Sequence, residues 1–256
     1  MRLYLTAAPD RLEQCLALTT HLAHAAFCVD GDGALHTQPL PLTLKGGIMV
    51  VQCPVPFPES CAEAPAREIM RLCLRRSFSG IVLDFPELYH PAYVLLAQRL
   101  DALARQYQRR LYIPEIYADA APSGYVLICT ALSGGSLQQR LEEAVDHHGA
   151  QRIALDLQRL AMDFPLPCPG GEGTPLTTAQ LQQRQQGRSI FFSDELCARY
   201  FTCRQQGQTH FVLFDDADTL QRKMEIAGSL GIREGFVMLP EIEDIAAAVL
   251  EQKERS

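Results

Sequence analysis

The chain contains no tryptophan in its 256 residues, so any aromatic surface for a flat or ring-shaped ligand must come from its 8 tyrosines and 11 phenylalanines. It has no basic block and a net charge of −7, which makes nucleic acid and anionic membrane poor partners. No run approaches the roughly 20 apolar residues of a membrane span. The opening MRLYLTAAPDRLEQ turns polar too soon for a secretory signal, so the expectation is a cytoplasmic protein. The 9 cysteines form no CxxC pair and no Cys/His ligand cluster, which argues for reduced thiols and against a metal site or a disulfide framework. No glycine-rich phosphate loop follows the first apolar run, and no GxSxG elbow supports an esterase. No residue pattern calls for a cofactor.

What is present is alternation. Apolar runs at Leu3–Thr6, Leu22–Val29, Ile48–Gln52, Ile81–Phe85, Leu111–Ile116, Tyr125–Cys129, Ile153–Leu157 and Gly235–Leu239 read as buried strands. Between them, Pro65–Arg76, Pro91–Gln108, Ser136–His148 and Asp218–Leu230 carry apolar residues at three- and four-residue spacing, as amphipathic helices do. Ser136 and Asp218 are candidate N-caps, and Gly149 and Gly231 candidate stops. Eight strands alternating with helices over about 250 residues predict a (β/α)8 TIM barrel spanning 1–256 as a single domain. The stretch 165–208 opens with PLPCPGGEGTP and is rich in glutamine; it predicts a small α+β lobe inserted before the last barrel helix. Asp30–His36, DGDGALH, reads as a turn with Gly31 and Gly33 at positive φ.

The segment GIVLDFPE, Gly80–Glu87, carries the functional argument. An apolar strand that ends in Asp84 and Glu87 delivers carboxylates to the C-terminal face of a barrel. Residues two apart on a strand face the same side. Asp84 and Glu87 are three apart, so Glu87 reaches the mouth only if the chain bulges or turns at Pro86. Other carboxylates near predicted strand ends are Glu115, Asp156, Asp163 and Glu241. Among them Glu115, ending IPE beside Tyr117, is the alternative acid, and an ion pair with a neighbouring arginine is its simpler reading. His21, His24 and His210 read as satisfied histidines, because no second ligand stands at metal spacing.

Several segments together resemble the chitinase-like glycoside hydrolases of family 18, in the branch that includes bacterial spore-cortex and peptidoglycan hydrolases. LTTHLAHAAFCVDGDGALHT is similar to the family's "THINYAF…D.DG.L" segment, with Thr20, His21, Phe27, Asp32, Gly33 and Leu35 in place. IALDLQRLAMDFPLP resembles "vvlGlPlYgydW.lP", with Asp163, Phe164 and Pro167 in register. The stretch from His210 to Leu239 resembles the family's ending, with Asp216, Lys223, Gly231, Gly235 and Leu239 matched. The ordered set covers nearly the whole chain.

The departures fall at the chemistry. Where the family's fourth strand reads DGxDxDxE, this chain has Ser79, Val82, Asp84 and Pro86 at the acidic positions. The sixth strand's "M.YD" falls on Cys129, Thr130, Ala131 and Leu132, and the last strand's tryptophan on Met238. The resemblance implies substrate-assisted hydrolysis. A glutamate protonates the glycosidic oxygen, while an aspartate and a tyrosine orient the substrate's own acetamido group for attack. Most of those groups are absent here. The expectation is therefore a pseudoenzyme that keeps the barrel and a glycan-binding or structural role. One alternative is an active glycosidase on an N-acetylhexosamine polymer of chitin or peptidoglycan type, using Glu87 or Glu115 as general acid. The other is a protein-interaction scaffold. Candidate catalytic residues are Glu87 and Asp84. Candidate glycan contacts are Phe85, Tyr89, Glu115, Tyr117, Asp163, Phe164, Met238 and Glu241, with an N-acetylated glycan as the partner. The sequence leaves the oligomeric state open.

Overall fold

A computed structural model describes residues 1–41, 43–86, 88–205 and 207–251. In chain order it runs β1 (Arg2–Ala7), α1 (Leu12–Leu18), β2 (Leu22–Val29), β3 (Leu35–Thr37), β4 (Ile48–Gln52), α2 (Glu63–Arg75), β5 (Gly80–Asp84), α3 (Pro91–Gln106), β6 (Arg110–Pro114), β7 (Tyr125–Cys129), α4 (Leu137–His148), β8 (Ile153–Asp156), β9 (Ala161–Leu166), β10 (Thr174–Pro175), α5 (Thr178–Gln185), β11 (Phe191–Ser193), β12 (Ala198–Gln205), β13 (Gln208–Phe214), α6 (Ala217–Ser229), β14 (Glu234–Met238), α7 (Leu239–Ile242) and α8 (Ala246–Leu250).

Eight parallel strands, β1, β2, β4, β5, β6, β7, β8 and β14, close into a barrel, because β1 pairs with β14 on one side and with β2 on the other. This is the expected (β/α)8 barrel. Its strands are buried on both faces, which is why they read as unbroken apolar runs. On β5, Ile81 and Leu83 point out into the helix layer, whereas Val82 points in, packing with Tyr4, Ala23, Ala25, Ile48, Val50, Tyr112, Ala154 and Phe236. The N-terminal end of the barrel is plugged by polar groups: Glu234 receives Arg110, Arg2 at 3.2 Å and the Tyr112 hydroxyl at 2.6 Å. The opposite end is left open.

The helices form where apolar spacing and caps coincide. Pro91 opens α3 in the first turn, where its missing N–H costs nothing, and His90 accepts the Ala92 N–H at 3.2 Å. Ser136 caps α4 as expected. The cap of α6 is Asp216, not Asp218; its side chain accepts the Thr219 N–H at 2.9 Å, and the Thr219 hydroxyl accepts the Asp216 N–H at 3.0 Å, a reciprocal box. In the turn after β2 only Gly33 takes positive φ (84°); Gly31 does not. The chain there returns as β3, antiparallel to β2. All nine cysteines are free thiols. Among the described residues no helix is long and apolar enough to cross a membrane.

Between β8 and α6 the chain builds a five-stranded sheet in the order β10-β9-β13-β12-β11, with α5 on one face. Its two necks are stapled together. The Asp215 N–H donates to the Leu160 carbonyl at 2.8 Å, and the Leu160 N–H returns to Asp215 Oδ2 at 2.9 Å. Lys223 of α6 donates to the same carboxylate at 2.8 Å and to the Thr130 carbonyl, just past β7, at 3.0 Å. Asp215 and Lys223 are both fully buried. This knot fixes the lobe beside the β7 end of the barrel mouth.

Candidate functional site

A cleft of about 710 Å³ opens at the C-terminal end of the barrel, the face at which barrels of this class carry their sites. Its floor is the apolar interior: Val50, Val82, Leu127 and Phe236. Its rim is polar: Thr6, Asp84, Glu115, Arg140, Asp156, Gln158 and Glu241, with Met238 between floor and rim.

Asp84 ends β5 on the same side as Val82, so strand parity aims it at the cleft. It is exposed, not buried as an inward acid ordinarily is, and takes one hydrogen bond from Gln52 Nε2 at 3.3 Å. Glu87 lies outside the described residues. Phe85 borders the cleft, but its ring faces the helix layer, stacked on Tyr93 at 4.5 Å and edge-on to Tyr117 at 5.0 Å.

Glu115 lines the cleft, and its carboxylate is held by Arg140 of α4, with His148 Nε2 3.6 Å away. The ladder of β6 stops at Pro114, and Glu115–Ala120 winds into a 3₁₀ turn in place of the expected strand end. That turn swings Tyr117 away from the cleft into the core. Its hydroxyl donates to the Leu88 carbonyl at 2.7 Å and accepts the His90 N–H at 3.1 Å. Tyr89 stacks on Tyr117 at 5.7 Å, 64% exposed and outside the cleft lining.

Asp163 and Phe164 sit on β9, in the lobe. Asp163 is buried and paired with Arg184 of α5 and with His210 Nδ1 at 2.9 Å. The Phe164 ring is covered by the backbone of Gly173, where an added Cβ would come within 2.6 Å of it. Neither residue lines the cleft.

The wall made by β8 and β14 is richer. Asp156 is the last residue of β8 and pairs in register with Phe236 of β14. Gln158 Nε2 donates to its Oδ2 at 2.7 Å. After β14 the short α7 folds Glu241 back over the β8 end, where Oε2 accepts the Arg159 N–H at 3.1 Å. Burial raises the Glu241 carboxyl above its ordinary value; the Arg159 N–H opposes this, and the charge of Asp156 adds to it. The Arg159 guanidinium is turned away, to Asp244 and to the carbonyls of Glu241 and Asp215. Asp156 carries the same signal as Asp84, an apolar run ending in an acid. Arg140 could not be found that way, since it reaches the cleft from a helix.

Among the described residues no group of three or more His, Cys, Asp and Glu side chains could hold a metal ion.

No protein-family model matches the chain, and no curated protein does. Solved structures do. The spore cortex-lytic enzyme SleL of Bacillus megaterium is 18% identical at TM-score 0.66, over 100% of this chain and 75% of that one. A chitinase from Chromobacterium violaceum is 16% identical at TM-score 0.69, over 98% and 99%. A variant GH18 chitinase from Cycas revoluta, solved in complex with (GlcNAc)4, is 14% identical at TM-score 0.63, over 98% and 97%.

Proposed function

We propose that this chain, which has the fold of the chitinase-like glycoside hydrolases of family 18, binds an N-acetylated glycan in its cleft and does not carry out substrate-assisted hydrolysis. The observation that carries the reading is the pair of strand ends at β5 and β7. The first presents Asp84 followed by Pro86; the second gives the cleft Cys129 and Leu132. A substrate-assisted route needs a protonated acid over the glycosidic oxygen and polar groups that orient the acetamido oxygen, and among the described residues those strand ends supply no such set.

Binding is supported by shape. An apolar floor with a polar rim matches a pyranose, which offers a C–H face and a ring of hydroxyls. The likeness to an enzyme solved with (GlcNAc)4 suggests the ligand. Glu115, the alternative acid, is engaged by Arg140 and is not free to approach a glycosidic oxygen. Titration calorimetry with N-acetylglucosamine oligomers, run beside a turnover assay, tests the reading. Binding is expected. Robust hydrolysis that disappears in Glu87→Gln or Asp84→Asn would refute it.

A further inference from the structure

The cleft opens at one end of the barrel, and unpaired positive charge collects at the other. Away from the N-terminal end of the barrel, every described lysine and arginine except Arg188 and Arg204 is ion-paired with a carboxylate. At that end the pattern breaks. Lys45, Arg75, Arg105 and Arg233 are exposed and have no carboxylate partner among the described residues. Arg76, Arg109 and Arg152 donate to backbone carbonyls instead, of Pro41 at 2.7 Å, Gln108 at 3.3 Å and Gly124 at 3.2 Å. Arg2 and Arg110 divide one carboxylate, Glu234. We propose that this end of the barrel docks on an anionic phospholipid bilayer, with the cleft turned away from it.

The fold makes these cations neighbours. In the sequence they are scattered, so no basic block shows there. The Gly46 N–H, next to Lys45, donates to the Arg76 carbonyl at 3.0 Å. The Arg110 N–H donates to the Ser79 carbonyl at 3.2 Å, and the Arg2 N–H to the Arg233 carbonyl at 2.7 Å. Glu234 joins Arg2 to Arg110 across the barrel. The arc therefore runs from the start of β4 past β5 and β6 to β14 and β1. Asp119 and Asp146 stand between β6 and β8, outside it. Cations suit helix C-termini, and Arg75 and Arg105 occupy such last turns. That does not account for Arg2, Lys45, Arg110 and Arg233, which open or precede strands. The net charge of −7 speaks against an anionic partner for the chain as a whole. An approaching surface, screened beyond about 8 Å, feels the face it meets and not the sum.

Two features select a bilayer over a nucleic acid. The connections at this end are short, 76–79, 107–109 and 230–233, so none of them carries a helix or ribbon that could enter a groove. Tyr107, 41% exposed, is the only exposed tyrosine or phenylalanine at this end among the described residues. One ring cannot stack successive bases, but a tyrosine suits the headgroup level of a bilayer. A basic face without an acyl chain or an inserted helix holds reversibly, by charge.

Docking of this kind is independent of what the cleft holds. Flotation with vesicles of phosphatidylcholine alone, or of equal parts phosphatidylcholine and phosphatidylglycerol, tests it. The wild type should bind the mixed vesicles and not the neutral ones, and should be released at about 1 M salt, where screening is nearly complete. Lys45→Gln/Arg75→Gln/Arg105→Gln/Arg233→Gln should lower partitioning by more than roughly a hundredfold, at about fivefold for each cation removed. These side chains are exposed and without carboxylate partners, so the variant should melt as the wild type does. Should it not, the double variant Lys45→Gln/Arg233→Gln, expected to lose roughly twenty-five-fold, decides the matter. Arg67→Gln/Arg71→Gln/Arg188→Gln/Arg204→Gln removes the same charge elsewhere and should bind as the wild type does. A wild type that ignores phosphatidylglycerol overturns the proposal. So does an equal loss in the two quadruple variants, and so does binding to a short RNA or DNA duplex without binding to the mixed vesicles.

Discussion

Lys223→Met tests whether the knot beneath the lobe holds the mouth in shape. Lys223 and Asp215 are both fully buried, 2.8 Å apart. The aspartate is also satisfied by the Leu160 N–H at 2.9 Å and the Thr219 hydroxyl at 2.8 Å. Removing the ammonium strands a carboxylate in a site where burial already drives its affinity for a proton upward. It also leaves the Thr130 carbonyl without its 3.0 Å donor. Breaking one side of a buried pair costs about 3–5 kcal/mol. In a chain of this size each kcal/mol is worth about 2–4 °C, so the melting temperature should fall by roughly 6–20 °C. Differential scanning calorimetry reads it directly. The double variant Asp215→Asn/Lys223→Met is the control. Asparagine accepts the Leu160 N–H through Oδ1, donates Nδ2–H to the Thr219 hydroxyl and leaves no buried charge, so most of the loss should return. A single-variant cost below about 1 kcal/mol would refute the reasoning, because it would mean that water reaches the pair.

Three further outcomes follow from the same physics. Glu241→Gln should raise the melting temperature at neutral pH. A carboxyl whose folded value lies above its unfolded one stabilises fully below the unfolded value and loses that contribution as pH rises through the folded one. The gain should therefore vanish in acid, where both states are protonated; a variant less stable than wild type at pH 7 would contradict this. Met238→Trp should tighten binding of an N-acetylglucosamine oligomer by about tenfold, some 1.4 kcal/mol, by giving the cleft wall a flat ring; calorimetry showing unchanged or weaker binding would count against Met238 as a sugar contact. Gly47→Ala should destabilise by about 1–3 kcal/mol in denaturant melts. Gly47 sits at φ +79°, and an added Cβ would come within 2.7 Å of the Leu22 carbonyl oxygen at the start of the barrel.

The barrel was legible because parallel strands buried on both faces must be apolar throughout, and because helix periodicity between them cannot be mistaken for a strand. Leu22–Val29, Ile48–Gln52 and Tyr125–Cys129 coincide with the observed strands to the residue. The site was legible only in part, since a strand end announces its last side chain but not what the following loop does. Asp84, Glu115, Met238 and Glu241 came to the cleft. Tyr117 did not, because two backbone groups of the β5–α3 loop capture its hydroxyl. Asp163 and Phe164 follow β8 closely in sequence but belong to the sheet of the lobe, where Arg184 and Gly173 claim them. Cap position was misread for a related reason: Asp216 and Asp218 both suit an N-cap, and only the backbone of Asp216 is extended (φ −119°, ψ −175°) as a cap requires.

The central claim is that the barrel mouth is where a glycan sits. Methyl-detected NMR during titration with an N-acetylglucosamine tetramer tests it most directly, because Val50, Val82, Leu127, Leu132, Val237 and Met238 all line the cleft. The expected result is saturable shifts at those methyls, with the lobe methyls of Leu176, Leu181 and Val212 unmoved. Shifts confined to the lobe, or none at millimolar tetramer, would contradict the account.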